Sequence, residues 1–218
     1  DKTTGKAIYN AIVWQDTRTK DMTARLKSEG AEDLTLKLAG LPLDPYFSAS
    51  KLRWLLDHVP DVRHLLRKKR LRLGTSEAFF LARLTGAFAT DVTNASRTSL
   101  MSLDTLQWDP QLCDLFGVPM ECLPEIRPTA GDFGRLGRTR VTASLVDQQA
   151  ALFGHGCERL GDAKITFGTG AFALAVAGAS RLDGGTTGML PTLAWRIGRE
   201  PPAFAIEGGV YNAASALN

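Results

Sequence analysis

Apolar residues recur at helical spacing in three segments of the chain. The clearest begins at Ser48, where one apolar stripe repeats at i, i+3, i+4 and i+7 and Pro60 then ends the pattern. It is formed by Leu52, Leu55, Leu56 and Val59. A second helix is predicted from Glu77 to Leu84, with Thr75 or Ser76 as its N-cap and Gly86 just past its end. A weaker pattern predicts a short helix from Asp21 to Lys27, stopped by Gly30.

Strand patterns are more frequent towards the end of the chain. The run KITFGTGAFALAVAG predicts two strands joined at the turn Gly168-Thr169-Gly170. Another turn is predicted at 183–185, and strands are expected at Ala7–Trp14, Leu71–Leu73, Arg140–Val146, Met189–Ile197 and Ala203–Glu207. Four prolines after Trp108 indicate a loop-rich stretch that lasts until Val141. A helix over Gln148–Phe153 would place Asp147 at a joint between a strand and a helix.

The balance of elements predicts an α/β protein with two parts. Helices and strands mix over the first two thirds and hairpins dominate the rest, so we expect a domain boundary near 154–161. That division gives an incomplete first domain over 1–155 and the opening hairpins of a second over 156–218. A helix expected around Asn212 would have only its first turns, which indicates a missing C-terminal portion.

Composition narrows the class of protein. With 44% hydrophobic and 22% charged residues among 218, the chain is globular rather than disordered. The net charge of +3 is too small to indicate a nucleic-acid partner, and the dense basic run from Arg63 to Arg72 is better interpreted as a solvated helix end before a short strand. The longest uncharged run is shorter than the roughly 20 apolar residues that span a bilayer, and no signal peptide is evident. Three cysteines at unremarkable spacing fit reduced thiols, so we expect a cytoplasmic protein.

Three features could carry chemistry. Asp147 could accept a proton from a substrate hydroxyl at the carboxyl end of a strand, or it could only stabilise the start of the following helix. Gly168 and Gly170 could let backbone amides approach a phosphate, although hairpin turns use the same residues without a ligand. Trp14 and Tyr46 stand beside polar turns and could hold a small polyol, although single aromatic residues more often belong to a core or an interface. The histidines show no metal-ligand spacing.

Five strings together make the chain resemble the FGGY carbohydrate kinases. They are YNAIVWQDTRT, GLPLDPYFSASKLRWLLD, TDVTNASRTSLMSLDTLQWD, DQQAALFG and FGTGAF. The motif Trp14-x-Asp16-x-Arg18 and the Asp147-Gln148 pair are marks of the whole family, whereas DPYFS and VTNASRT resemble its glycerol branch. The resemblance covers nearly the whole chain, so it is far more specific than any single motif.

The resemblance implies an actin-like ATPase (ribonuclease H-like) fold, with most of the first domain and the start of the second. It implies transfer of the γ-phosphoryl group of ATP, with Mg²⁺, to a primary hydroxyl of a polyol, glycerol first. By position, Asp147 matches the general base and Gln148 a substrate-hydroxyl contact. Polyol contacts are matched by Trp14, Tyr46 and Phe172, and nucleotide contacts by Gly168, Thr169, Gly170 and Ala214. Mg²⁺ would be held through the nucleotide, with Asp147 as the one side chain that could reach it.

Departures from the family pattern leave the acceptor open. Val146 stands where the family usually has glycine, Glu77 where many relatives have aspartate, and Ala214 where a nucleotide-contact glycine is expected. Another polyol or a sugar, for example a pentulose or tetritol, therefore stays an alternative, as does a degenerate member that only binds or assembles. The family's phosphate loop and its substrate-binding Arg-Glu pair have no counterpart in the sequence, so we expect the 218 residues alone to be inactive. Glycerol-branch relatives are often dimers or tetramers, which predicts a homo-oligomer.

Overall fold

The structure is a computed structural model that describes residues 1–168, 170–182 and 188–210. The helices of this part of the chain are α1 (Lys20–Ser28), α2 (Glu32–Ala39), α3 (Ser48–His58), α4 (Pro60–Arg67), α5 (Ser76–Thr85), α6 (Val92–Ser96), α7 (Pro110–Phe116) and α8 (Asp147–Gly154). Its strands are β1 (Ala89–Asp91), β2 (Glu125–Arg127), β3 (Arg135–Leu136), β4 (Thr139–Arg140), β5 (Ala163–Phe167), β6 (Ala171–Gly178), β7 (Leu190–Trp195) and β8 (Ala203–Val210).

The helices with clear local signals form as the sequence predicts. In α3 the apolar stripe packs into a core with α4 and α7, in which Leu52, Leu56, Val62 and Phe116 are buried together. Helix α5 begins after Thr75, and Gly86 ends it in the left-handed conformation with φ of 83°. Helices α1 and α8 confirm the two remaining predictions, each with bounds one residue wider at both ends.

An antiparallel sheet with strand order β5-β6-β8-β7 forms the later part of the described chain. Consecutive residues of a strand point to opposite faces, and Phe204 and Ala205 of β8 belong to different cores. On one face, Ala205 joins a cluster with Leu152 of α8. On the other, Phe204 packs with Val92 of α6. The sheet therefore lies between α8 and α6, which brings both helices to the predicted site.

Three predicted strands do not form. Residues Ala7–Trp14 and Leu71–Leu73 contain no strand, and of Arg140–Val146 only Arg140 belongs to one, with a further isolated bridge at Ala143. A strand is stable only when a neighbour accepts and donates its backbone hydrogen bonds. Leu73, for example, donates one such bond, to the Cys122 carbonyl. Ala7–Trp14 and Leu71–Leu73 pair with no strand among the described residues, whereas Val141 forms backbone hydrogen bonds with Phe133 and Gly134 without being part of a strand.

Three helices, α2, α6 and α7, were missed. The stretch after Trp108 was expected to be a loop, but it contains α7, a 3-10 turn at Met120–Cys122 and strand β2, which pairs in parallel with β1. The signals of α7 are local: Asp109 caps it by accepting the N–H groups of Gln111 and Leu112, and a proline occupies its first turn. Helix α2 was not predicted either, although Gly40 ends it in the left-handed conformation.

The basic run from Arg63 to Arg72 was expected to be a solvated helix end followed by a short strand, and only the first part of this prediction is confirmed. It covers the end of α4 and an exposed turn at Lys68 and Lys69, but the short strand expected after it is absent. The turn at 183–185 and the helix around Asn212 lie outside the described residues. The domain boundary stays a prediction.

Candidate active site

Asp147 is the first residue of α8, where the chain turns from extended backbone into the helix. Its side chain is exposed, and its Oδ1 accepts the N–H of Gln148 at 2.8 Å. The carboxylate therefore faces open space at a helix N-terminus, where the helix dipole favours negative charge. An exposed carboxylate at this position can accept a proton and can also stabilise the start of the helix. The structure is therefore compatible with both interpretations of Asp147.

A chain of buried hydrogen bonds holds the backbone that carries Asp147. The N–H of Val146 donates to the Thr93 hydroxyl at 3.0 Å, and that hydroxyl donates to Asp91 Oδ2 at 2.7 Å. Asp91 is the N-cap of α6 and is fully buried. Burial raises the pKa of Asp91, while its hydrogen bonds to Thr93 and Asn94 act in the opposite direction. The start of α8 is thus fixed to α6 by side chains distant in sequence.

Tyr46 and Trp14, which were proposed separately from the sequence as polyol contacts, pack against each other. Their ring centroids lie 5.5 Å apart in an edge-to-face arrangement, and Trp14 remains 41% exposed. Asp44 accepts the N–H of Tyr46 at 2.7 Å, which fixes the turn that presents the tyrosine. Burial raises the pKa of Tyr46, the Arg97 guanidinium opposes this, and the nearby carboxylates of Glu207 and Asp147 add to it. Asp147 is therefore close enough to Tyr46 for its charge to act on the tyrosine pKa.

The Phe172 ring packs against two glycines, Gly209 of β8 and Gly170 just before β6. It is the cross-strand partner of Gly209, where an added Cβ would lie 2.9 Å from its ring. At Gly170 an added Cβ would lie 2.7 Å from the same ring. Real Cβ atoms do not approach this closely, so both positions must stay glycine for the ring to keep its place.

Gln148 is held by a buried lysine that sequence reasoning missed. Lys164 of β5 is 7% exposed, and its ammonium donates to Gln148 Oε1 and to the Thr166 hydroxyl, the latter at 2.7 Å. Burial lowers the pKa of Lys164, whereas Asp147 and Glu207 act to raise it. The register aligns Lys164 of β5 with Leu174 of β6, and Leu174 with Glu207 of β8, so the charged groups share one face of the sheet.

The second missed pair is Arg97 and Glu207, which form a hydrogen-bonded ion pair with both side chains 14% exposed. The Arg97 guanidinium also lies 5.3 Å from the Phe47 ring and 5.9 Å from the Tyr46 ring. Burial alone would lower the pKa of Arg97, but Glu207 and Tyr46 outweigh it and raise that pKa. The pair ties the loop of Tyr46 to the sheet of Phe172.

Glu77, which stands where many relatives have aspartate, forms two side-chain hydrogen bonds. Its Oε1 accepts hydrogen bonds from the hydroxyls of Thr75 and Thr90, both at 2.6 Å. Burial raises the pKa of Glu77, and nearby Asp91 adds to this, whereas the two threonines act to lower it. Glu77 therefore joins the first turn of α5 to strand β1 close to the cap of α6.

The residues present fit a nucleotide with Mg²⁺. Gly168 is exposed, and an added Cβ would meet only the Gly170 carbonyl, at 3.9 Å, so a bulky group can approach the backbone there. The Gly168 N–H itself donates to that carbonyl at 2.8 Å. An exposed carboxylate such as Asp147 is a ligand type that Mg²⁺ uses together with water and phosphate oxygens. No group of three or more His, Cys, Asp or Glu side chains that could hold a metal is found among the described residues, and Thr169 and Ala214 lie outside them.

Comparison with known proteins shows the family to which the chain belongs. Residues 1–154 match the N-terminal domain of the FGGY family of carbohydrate kinases, and the chain belongs to that family. It is 43% identical to the glycerol kinase of Geobacter sp. (strain M21) over 225 residues and 44% identical to that of Rippkaea orientalis over the same length. The chain spans 45% of the length of each of these relatives.

Solved structures agree on the architecture. The structure of Plasmodium falciparum glycerol kinase with ADP superposes with a TM-score of 0.93 at 33% identity, covering all of this chain and 45% of that one. A gluconate kinase from Lactobacillus acidophilus superposes with a TM-score of 0.83 at 20% identity, covering 98% of this chain and 44% of that one, which shows a shared fold alone. The chain therefore has part of the actin-like ATPase fold. No helix among the described residues is long and apolar enough to span a membrane.

Proposed function

We propose that this chain forms part of a polyol kinase that transfers the γ-phosphoryl group of ATP to a primary hydroxyl, with glycerol converted to glycerol 3-phosphate as the first reaction to test. The observation that supports it best is the exposed carboxylate of Asp147 at the start of α8, whose charge contributes to the raised pKa of Tyr46. The glycerol kinases named above, similar over the whole chain, point to the same substrate. Because the chain spans less than half of these relatives, the activity is proposed for the full-length protein that carries this sequence.

In this proposal each residue has a defined role. Asp147 accepts the proton of the attacking hydroxyl, and Gln148 binds a hydroxyl of the acceptor. Trp14, Tyr46 and Phe172 enclose the carbon chain, and the Tyr46 hydroxyl adds a hydrogen bond. Bound ATP supplies the phosphoryl group, and Mg²⁺ neutralises phosphate charge. The turn 168–170 and Ala214 are proposed nucleotide contacts.

Such a reaction needs accurate positioning more than a strong base. Phosphoryl transfer passes through a loose transition state, in which little charge develops on the attacking oxygen. An ordinary, solvent-accessible carboxylate at Asp147 is adequate for it. The rigid attachment of Val146 to Thr93 and Asp91 then serves the chemistry by keeping that carboxylate in place.

A different acceptor is the main alternative. Val146 is part of the N-cap turn immediately before Asp147, and its side chain occupies space that glycine would leave free. A kinase for another polyol or a sugar, such as a tetritol or a pentulose, is therefore to be tested in parallel. A degenerate member that only binds or assembles would turn over none of these substrates.

The deciding experiment replaces Asp147 by Asn in the full-length protein. A coupled ADP-release assay with glycerol, other polyols and sugars should show a loss of kcat of about 10²-fold or more, because the amide cannot accept the proton. Asp61→Asn is the matched control, since Asp61 also lies in the first turn of an eight-residue helix and is exposed, but far along the chain from the site. Unchanged kcat in Asp147→Asn would end the proposal. The same assay tests the expectation that the 218 residues alone do not turn over.

A further inference from the structure

Lys164 is a buried cation whose hydrogen-bond partners are neutral. Its ammonium donates to a carboxamide oxygen and a hydroxyl, and it takes part in no ion pair among residues 1–168, 170–182 and 188–210. Taking an ammonium out of water without a directly bonded carboxylate is costly. Burial accordingly lowers the pKa of Lys164. A methionine or leucine would fill the same space without that cost. The lysine therefore does something that an apolar residue cannot do.

Its direct effect is on the orientation of Gln148. A carboxamide has an acceptor end and a donor end that are nearly equal in shape, so its neighbours decide which end faces which way. The Lys164 ammonium can only donate, so it fixes Oε1 of Gln148 towards β5. The amino end of the same carboxamide is then directed away from the lysine, and no acceptor for it occurs in the described part of the chain.

We propose that Lys164 is a positioning residue for the acceptor site, which presents the Gln148 amino group as a hydrogen-bond donor to a substrate hydroxyl oxygen beside Asp147. This inference rests on the proposed function and deepens it. One side of the site then donates to a hydroxyl oxygen and the other, Asp147, accepts a hydroxyl proton. Such a pairing recognises an alcohol and rejects an analogue that lacks the hydroxyl, because the donor would be left without a partner.

A purely structural role makes a different prediction about stability. If Lys164 mainly joined β5 to α8, its removal would destabilise the fold. If it is retained for the orientation of Gln148, Lys164→Met should fold at least as stably as the parent, since it removes a desolvated cation and keeps the apolar stem. The two roles can therefore be separated by one thermal unfolding measurement combined with kinetics.

The experiment is a double-mutant cycle in the full-length protein, with Lys164→Met, Gln148→Ala and both together. Each single variant should raise KM for the polyol about tenfold, the effect of one good hydrogen bond, and Lys164→Met should do so without lowering the melting temperature. The double variant should be no worse than the single variants, because both remove the same contact. Independent effects that multiply, or a loss of activity in Lys164→Met that follows a fall in its melting temperature, would overturn the proposal.

Gln148→Glu keeps the test decisive even if Lys164→Met does not fold. The carboxylate can pair with Lys164 but offers no donor to the substrate, so KM should rise as in Gln148→Ala. An unchanged KM in this variant would refute the donor role. A parent protein that phosphorylates no polyol would refute the proposed function itself, whereas an active parent with a multiplicative cycle would refute only the role of Lys164.

Discussion

Replacing Asp91 by alanine should destabilise the protein far more than any other helix-cap substitution in the described residues. The carboxylate of Asp91 accepts five hydrogen bonds, three at Oδ2 and two at Oδ1. Two come from backbone N–H groups of α6, and the others come from the side chains of Thr93, Asn94 and Thr129. Through Thr93 the same carboxylate supports the backbone of Val146, so the start of α8 depends on it.

The expected loss of unfolding free energy is about 3 kcal/mol. An N-cap acid is worth about 1 kcal/mol, and buried donors left without an acceptor cost about 1 to 3 kcal/mol more. The cost of burying Asp91, visible in its raised pKa, offsets part of this sum. Asp109→Ala is the matched control, because Asp109 also caps a helix but accepts only two backbone N–H groups near the surface. We expect it to cost about 1 kcal/mol.

Urea unfolding followed by circular dichroism measures both changes. With a slope of about 2 kcal/mol per molar urea, the midpoint should fall by about 1.5 M for Asp91→Ala and by about 0.5 M for Asp109→Ala. Equal shifts in the two variants would refute the reasoning, because they would mean that the buried side-chain bonds of Asp91 contribute nothing beyond an ordinary cap. A changed slope would point instead to an altered unfolded state.

Two further predictions follow from buried titratable groups. Because burial raises the pKa of Glu77 above its usual 4.5, its stabilising contribution is full below that value and is lost as the pH rises through the raised pKa. Glu77→Gln should therefore gain stability relative to the parent between pH 4 and pH 7, and a constant difference in unfolding free energy would contradict this. Burial also raises the pKa of Cys113 and of Cys122 to about 11, whereas Cys157 is partly exposed. Ellman's reagent at pH 8 should thus modify Cys157 rapidly in the native protein and Cys113 and Cys122 only after denaturation, and rapid native modification of Cys113 or Cys122 would be inconsistent with the fold.

Several elements could be predicted because their signals are local. Helices α3 and α5 follow from an apolar repeat or from capping residues within a few positions, and the β5-β6 hairpin follows from its glycine turn. The end of α7 at Gly117 and its cap at Asp109 were equally local, so that helix could have been predicted from the same rules. The prolines around it directed the interpretation towards a loop instead.

The strands were harder, because a strand depends on a partner that is distant in sequence. The apolar character of Ala7–Trp14 was real, but no neighbour pairs with it among the described residues, and Val13 and Trp14 are exposed. In contrast, β1 and β2 are only three residues each and pair in parallel because folding brings them together. Length and hydrophobicity therefore missed β1 and β2 and predicted a strand at Ala7–Trp14 that does not form, although the strands predicted at Met189–Ile197 and Ala203–Glu207 are confirmed as β7 and β8.

By itself, the amino-acid sequence determined the family, the helices α1, α3, α5 and α8, and the side chains proposed for the chemistry, since motifs and capping residues act over short distances along the chain. Tertiary structure alone decided that Trp14 packs on Tyr46, that Arg97 pairs with Glu207, and that Lys164 holds Gln148. These contacts join residues from 16 to 110 positions apart. They depend on burial, which makes a charge or a hydrogen bond strong only after the surrounding chain has excluded water.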